Sequence, residues 1–245
     1  MEKHFELTEK FIVNVFGTKL FQIKATKKTK FANIGDLGGF IEKENNLSGN
    51  AWVSGNALVY GNAFVSGDAR VYGNAWVYGD AWVSGDARVS GDARVYGNAR
   101  VYGDAWVSGD ARVSGDARVY GDAWVSGNAL VYGDARVYGN ARVYGNASVS
   151  GNAWVSGDAR VSGNAWVYGD ALVYGDADLC WFSNFGSSNR TTTFFKTKSN
   201  VKVNCGCFQG TLKQFKEQVI KTHKKTKYAK EYLAMIELVK IKFEL

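Results

Sequence analysis

From Ser48 to Leu179 the chain repeats six residues, [Ser/Tyr]-Gly-[Asn/Asp]-Ala-X-Val, 22 times without a gap. The fourth position is always Ala, and the sixth is Val until Leu179 closes the series. Only X varies freely, through Trp, Arg, Leu, Phe, Ser and finally Asp178. In Ala-X-Val successive side chains point to opposite faces of a short strand, so Ala and Val share one face and X takes the other. Valine is β-branched and suits a buried pleated wall, while Ala leaves room where the wall turns. Gly followed by Asn or Asp is turn chemistry, because both tolerate positive φ. Three residues of strand and three of corner, repeated, wind a coil. Three walls close a triangular prism of 18 residues per turn, so 22 hexads make a little over seven turns. At the roughly 4.8 Å spacing of stacked strands the prism is about 35 Å long.

Val53 with Ala57, and Val101 with Ala105, place a small residue four positions after an aliphatic one. In this the chain resembles the hexapeptide repeat of left-handed β-helix proteins. The left hand is implied by that resemblance; periodicity alone requires only a solenoid. The expected fold class is an all-β solenoid, a left-handed parallel β-helix of about 7 triangular coils over 48–179. An N-terminal β-hairpin cap over 1–47 and a small α+β C-terminal cap over 180–245 complete it.

Caps are expected because an open solenoid exposes unpaired strand edges at both ends. Phe11–Val15, Gly17 and Leu20–Ile23 read as a hairpin, and Gly35–Ile41 leads into the first coil. Beyond the coil, Thr191–Lys198 and Val201–Cys207 read as strands. Thr211 with Gln214 resembles a capping box, with Leu212, Phe215 and Val219 on one helical face. A second helix runs from about Tyr228 to Lys242, with Tyr232, Ile236 and Val239 as its apolar stripe. Both apolar faces are expected to seal the last coil.

Gly35-Asp36-Leu37-Gly38-Gly39-Phe40-Ile41-Glu42-Lys43-Glu44 ahead of the hexads resembles a group of uncharacterised bacterial and phage proteins. Gly206–Leu212 together with Lys227–Leu233 resembles a short terminal module of phage-encoded proteins. These resemblances imply phage or prophage origin, and with it a place in the host cytoplasm. They imply no activity.

The net charge of +7 is unevenly placed. In the repeat 13 Asp oppose 9 Arg, giving −4, whereas residues 1–47 carry +2 and residues 180–245 carry +9. No run of about 18 apolar residues is present and Met1-Glu2-Lys3-His4 lacks the layout of a signal peptide, so a cytoplasmic protein is expected. Cys180, Cys205 and Cys207 lie outside the repeat, and the Cys205-Gly206-Cys207 spacing does not suit zinc. They read as structural thiols, and no metal or cofactor is expected.

Many enzymes with the coil of the resembling proteins are acyltransferases that use a histidine base and a loop binding an acyl-thioester. General base catalysis needs a group titrating near neutrality within reach of substrate. Only His4 and His223 are available, neither in the coil, and no loop interrupts the hexads. The coil Asp residues alternate with Asn at a corner position, a swap that would delete a catalytic charge. No catalytic residue is assigned, and a binding or scaffold role is expected rather than an enzyme.

Positions 18 apart stack in columns. One wall carries Trp52, Arg70, Arg88, Trp106, Trp124, Arg142, Arg160 and Asp178; the second Leu58, Trp76, Arg94, Arg112, Leu130, Ser148 and Trp166. The third carries Phe64, Trp82, Arg100, Arg118, Arg136, Trp154 and Leu172. Its consecutive Arg100, Arg118 and Arg136 repel one another unless an anion lies between them, and Tyr102, Tyr120 and Tyr138 follow each by two residues. Guanidinium forks suit carboxylate or phosphate, and phenols can stack a base or sugar. A small anionic, nucleotide-like ligand, or a host protein, is the expected partner of this wall; nucleic acid is not expected. The opposing structural reading is that Asp residues two places earlier, as in Asp116-Ala117-Arg118, neutralise the arginines. Exposed aromatics mark interfaces, so Trp52, Trp76, Trp82, Trp106, Trp124, Trp154 and Trp166 are interface candidates, with a side-by-side homotrimer expected. The other expectations weighed are a purely structural assembly element and, against its Arg and Trp walls, an ice-binding surface.

Overall fold

A computed structural model describes residues 3–245. Met1 and Glu2, with which the expected N-terminal cap begins, lie outside the described residues. Strands β1 (Phe5–Val13) and β2 (Lys19–Ala25) form the antiparallel hairpin, and β3 (Leu37–Ile41) pairs with β2. Twenty-one two-residue strands follow, from β4 (Trp52–Val53) to β24 (Leu172–Val173), stacked as seven parallel strands on each of three walls. The register is 18 throughout: Arg100 pairs with Arg118, Arg118 with Arg136, and Trp106 with Trp124.

Every coil Ala and Val from Ala51 to Val173 is at most 1 % exposed, so the prism is filled by one continuous apolar core. The ladder is uniform. Arg100 N–H donates to the Ala117 carbonyl at 2.9 Å and Tyr102 N–H to Val119 at 3.0 Å, a pattern that repeats along the coil. The corners require glycine twice over. Gly115 has φ +67°, and a Cβ there would lie 3.0 Å from the backbone nitrogen of Gly133 in the next turn.

Both ends of the ladder are closed by groups that replace a missing turn. At the start, Phe40 and Glu42 donate N–H groups to the Ala57 and Val59 carbonyls, so β3 acts as an extra rung. Side chains serve where no strand does. His4 Nε2 bonds the Ala51 carbonyl at 2.9 Å, and the fully buried Asn46 amide donates to Gly61 and Ala63 at 3.1 and 2.8 Å. At the far end Asp176 Oδ1 accepts from Arg160 N–H at 3.0 Å and Thr193 Oγ1 from Trp166 N–H at 3.1 Å.

The last hexad therefore differs from its expectation. Residues 174–179 leave the wall, Gly175 is extended at φ −164°, and Asp176–Asp178 form a 3-10 turn, so Asp178 is not a rung of the first column. With no further turn to pair with, its carboxylates fold back, Asp178 onto Tyr174 N–H at 3.0 Å.

The C-terminal region is a four-stranded antiparallel sheet, β25 (Leu179–Phe185), β26 (Arg190–Lys196), β27 (Val201–Cys205) and β28 (Phe208–Thr211), followed by α1 (Leu212–His223) and α2 (Lys227–Phe243). The Thr211–Gln214 capping box is present. The expectation that the helix faces seal the coil is corrected: they pack on the sheet, and the sheet closes the coil. Phe195 joins the coil core, with its ring 5.2 Å from Tyr168. Its neighbour Phe194 points the other way, into a second core with Phe215, Val219, Tyr232, Ile236 and Val239. Burial in that region holds the Cys180 thiol up at about 11, and all three cysteines are free.

Candidate ligand-binding walls

The 18-residue register brings the six candidate ligand residues together on one edge of the prism. Arg100 and Arg118 are exposed and Arg136 half-buried. Tyr102, Tyr120 and Tyr138 stack at 4.9 Å, within 2° of parallel. Each inner phenol face is thus covered by the next phenol, and no base can enter between them; the face of Tyr102 toward Ser84 stays open. What the column offers is a row of ring edges and hydroxyls. Burial among its neighbours holds the Tyr120 phenol above its ordinary value, so it is a neutral hydrogen-bond donor.

The arginines solve their mutual repulsion by parting. Arg100 lies over Trp82 at 5.6 Å, one turn back, and Arg136 over Trp154 at 4.8 Å, one turn on. Corner aspartates line the same edge, as Asp80 and Asp116 do beside Arg100 and Arg118, without forming contact ion pairs with the arginines. Among the described residues no arginine has a carboxylate within 4 Å; every ion pair there uses lysine. The corner carboxylates instead accept amide hydrogens along their own column, Asn98 donating to Asp116 and Asn140 to Asp158, each at 3.0 Å. Arg118 is left at the centre with neither an aromatic ring nor a carboxylate against it. The same wall ends in a hollow of about 480 Å³ lined by Trp154, Leu172, Tyr174, Lys198 and Lys202.

The tryptophans divide. Trp82 and Trp124 are 45 % and 37 % exposed, whereas Trp52 is 5 % exposed under the N-terminal segment, with the His4 ring 6.2 Å away. Trp52 therefore offers no free surface for an interface. Trp106 stacks on Trp124 at 5.1 Å, and the indoles of Trp106, Trp124 and Trp166 donate to Ser90, Ser108 and Ser150. Trp76, Trp154 and Trp166 are half-buried.

Two small notches break the outer surface. One, about 220 Å³, is lined by Trp82, Ser84, Arg100, Tyr102 and Arg118; the other, about 250 Å³, by Trp124, Ser126, Arg142, Tyr144 and Arg160. Their origin is the first position of the hexad, which is either Ser or Tyr. Where a serine precedes a tyrosine in a corner column, the small side chain leaves one phenol face open. Where the adjoining wall also passes from Trp to Arg, that opening acquires an aromatic floor and a cationic side. The signal was present in the sequence as the Ser-to-Tyr changes read in steps of 18, but it has no meaning until the columns are paired.

Residues 51–67, 63–79, 93–109, 111–127, 123–139, 135–151, 141–157 and 153–169 match the YdcK beta solenoid repeat model. The chain is a β-solenoid repeat protein. Each matched segment of the solenoid spans 17 residues, close to one turn of the prism, and every one lies within the coil. Among curated proteins no relative matches. The chain's two histidines lie outside the coil, His4 bonded to Ala51 at its start and His223 at the end of α1 with its ring 5.5 Å from Tyr232. No helix of the described residues is long and apolar enough to cross a membrane.

Proposed function

We propose that the protein is a non-catalytic binding and scaffold protein, a left-handed prism whose outer columns capture an elongated anionic ligand along the wall of Arg100, Arg118 and Arg136. The observation that carries this is Arg118, an exposed guanidinium between two others that, among the described residues, has neither a carboxylate within 4 Å nor an aromatic ring over it. Such a group is matched by phosphate or carboxylate oxygens held in a bidentate fork. Tyr102, Tyr120 and Tyr138 supply hydroxyls beside it, and past Trp154 the hollow carries Lys198 and Lys202 against the single carboxylate of Asp170. The rigid coil holds these groups in place before any ligand arrives, which lowers the ordering cost of binding.

The phage-like termini support a setting inside a bacterial host, where a nucleotide-type signal would be the captured anion. Isothermal calorimetry with a panel of nucleotides, inorganic polyphosphate and sugars tests the reading. Heat with the anions but not the neutral sugars supports it, and no heat with any of them overturns it. A second reading, an assembly element forming a side-by-side homotrimer, is favoured by the exposed Trp82 and Trp124 and by the hairpin tip, where Val15 and Phe16 are 81 % and 72 % exposed. Mass photometry separates a trimer or larger assembly from a monomer.

A further inference from the structure

The pattern Trp, Ser, Arg, Tyr, Arg at spacings of 0, 2, 18, 20 and 36 occurs three times. It begins at Trp82 and Trp124, where the notches are open, and also at Trp52, with Ser54, Arg70, Tyr72 and Arg88. In this third copy the protein's own N-terminal segment occupies the site. The Phe31 ring lies against the Arg70 guanidinium at 5.1 Å, and Tyr72 flanks the same guanidinium at 5.1 Å from the other ring. Lys30, the residue before Phe31, reaches Asp68 at 3.3 Å and Asp86 at 3.5 Å, the carboxylates two places before Arg70 and Arg88.

The open copies keep part of the chemistry that receives this pair: the position of Asp68, the nearer carboxylate to Lys30, is Asn98 or Asn140, while that of Asp86 remains a carboxylate. Each has two carboxylates around an asparagine, Asp80, Asn98 and Asp116 in one and Asp122, Asn140 and Asp158 in the other. The last carboxylate of each set holds the place that Asp86 holds beside Arg88. In both open copies the first arginine lies over its tryptophan, Arg100 on Trp82 at 5.6 Å and Arg142 on Trp124 at 5.8 Å. In the filled copy Arg70 instead lies against Phe31 and Tyr72.

We infer that the notches at Trp82 and Trp124 are docking sites for an aromatic side chain with a lysine immediately before it, carried on an extended segment of a partner protein. The aromatic ring takes the place of Phe31 against Arg100 or Arg142, and the lysine meets Asp116 or Asp158. The inference rests on the reading that the outer columns are binding surfaces, and it names a protein partner for part of them.

The probe is a synthetic peptide of residues 27–33 of this chain, labelled for anisotropy and titrated onto the full-length protein. A control peptide carries alanine in place of phenylalanine and keeps every charge. Ser84→Tyr and Ser126→Tyr extend the tyrosine columns into the gaps, as Tyr78 already does beside Trp76, where it stacks on Tyr96 at 5.0 Å. Two sites per wild-type chain are expected, one in each single variant and none in the double variant, with about tenfold weaker binding of the alanine peptide. Equal binding of the two peptides, or unchanged binding to the double variant, overturns the inference. Inorganic triphosphate is titrated in parallel. If it binds and the peptide does not, the notch inference falls and the anion reading stands; if neither binds, both fall.

Discussion

His4 Nε2 lies 2.9 Å from the carbonyl oxygen of Ala51, a residue of the first turn whose carbonyl has no coil turn beneath it to receive a hydrogen bond from. Only a ring nitrogen bearing hydrogen can make that bond. The ring is also 6.2 Å from Trp52, so a single side chain closes the ladder edge and covers the first tryptophan.

Burial holds His4 below its ordinary value of 6.5, against the smaller opposing pull of its bond to Ala51. Between the two values the unfolded chain binds more protons than the folded one, so stability rises with pH in that window. The contribution is complete above about pH 6.5 and is lost as the pH falls through it. Thermal melts from pH 8 to 5 are expected to show a decline in the wild type that His4→Gln lacks. His4→Ala should lose about 1–3 kcal/mol at pH 7.5, because the Ala51 carbonyl is left buried without a donor.

Two glycines with positive φ separate backbone conformation from space. Gly17 has φ +81° and nothing within 4 Å of an added Cβ, whereas at Gly115 a Cβ meets the next turn at 3.0 Å. Gly17→Ala should cost about 1 kcal/mol, the left-handed penalty alone. Gly115→Ala should cost more, because the two turns must also separate. Circular dichroism melts compare them directly, and equal losses would contradict the account.

At the far end of the prism, Thr193 is 1 % exposed and its hydroxyl receives the Trp166 N–H at 3.1 Å. Thr193→Val keeps the shape and removes the acceptor, so it should destabilise by about 1–3 kcal/mol in chemical denaturation. Thr193→Ser keeps the acceptor and should stay closer to wild type. A chain ending after Tyr174 loses Asp176, Thr193 and Phe195 together, and electron microscopy should then show end-to-end fibres.

Arg118→Ala removes the guanidinium of its column that, among the described residues, has no ring contact or ion pair. No loss of fold stability beyond about 0.5 kcal/mol is expected for an exposed side chain of this kind. Anion binding by calorimetry should fall at least tenfold, while Arg88→Ala on a neighbouring wall should leave it unchanged. Because the contact is ionic and exposed, the wild-type affinity should also drop as salt rises from 50 to 300 mM, on the order of the Debye screening expected there.

The hexad by itself determined the coil, its 18-residue turn and the wall columns from Trp52 to Leu172, because Gly at a positive-φ corner and Val at a buried strand position leave one local geometry, and a local geometry repeated without a gap sums to one global form. The capping box at Thr211 and the apolar stripe of α2 were equally local and equally legible. What only the tertiary structure decided depends on residues far apart in the chain. Asp176 and Asp178 follow the consensus yet leave the wall, because a rung needs a partner turn and none follows. β28 and the sheet that closes the coil, the return of His4 and Asn46 to the first carbonyls, and the seating of Phe31 on Arg70 all arise from edges and surfaces that exist only once the coil is wound. The notches are of the same kind: Ser84 and Tyr102 are ordinary members of a repeat until the register sets one above the other.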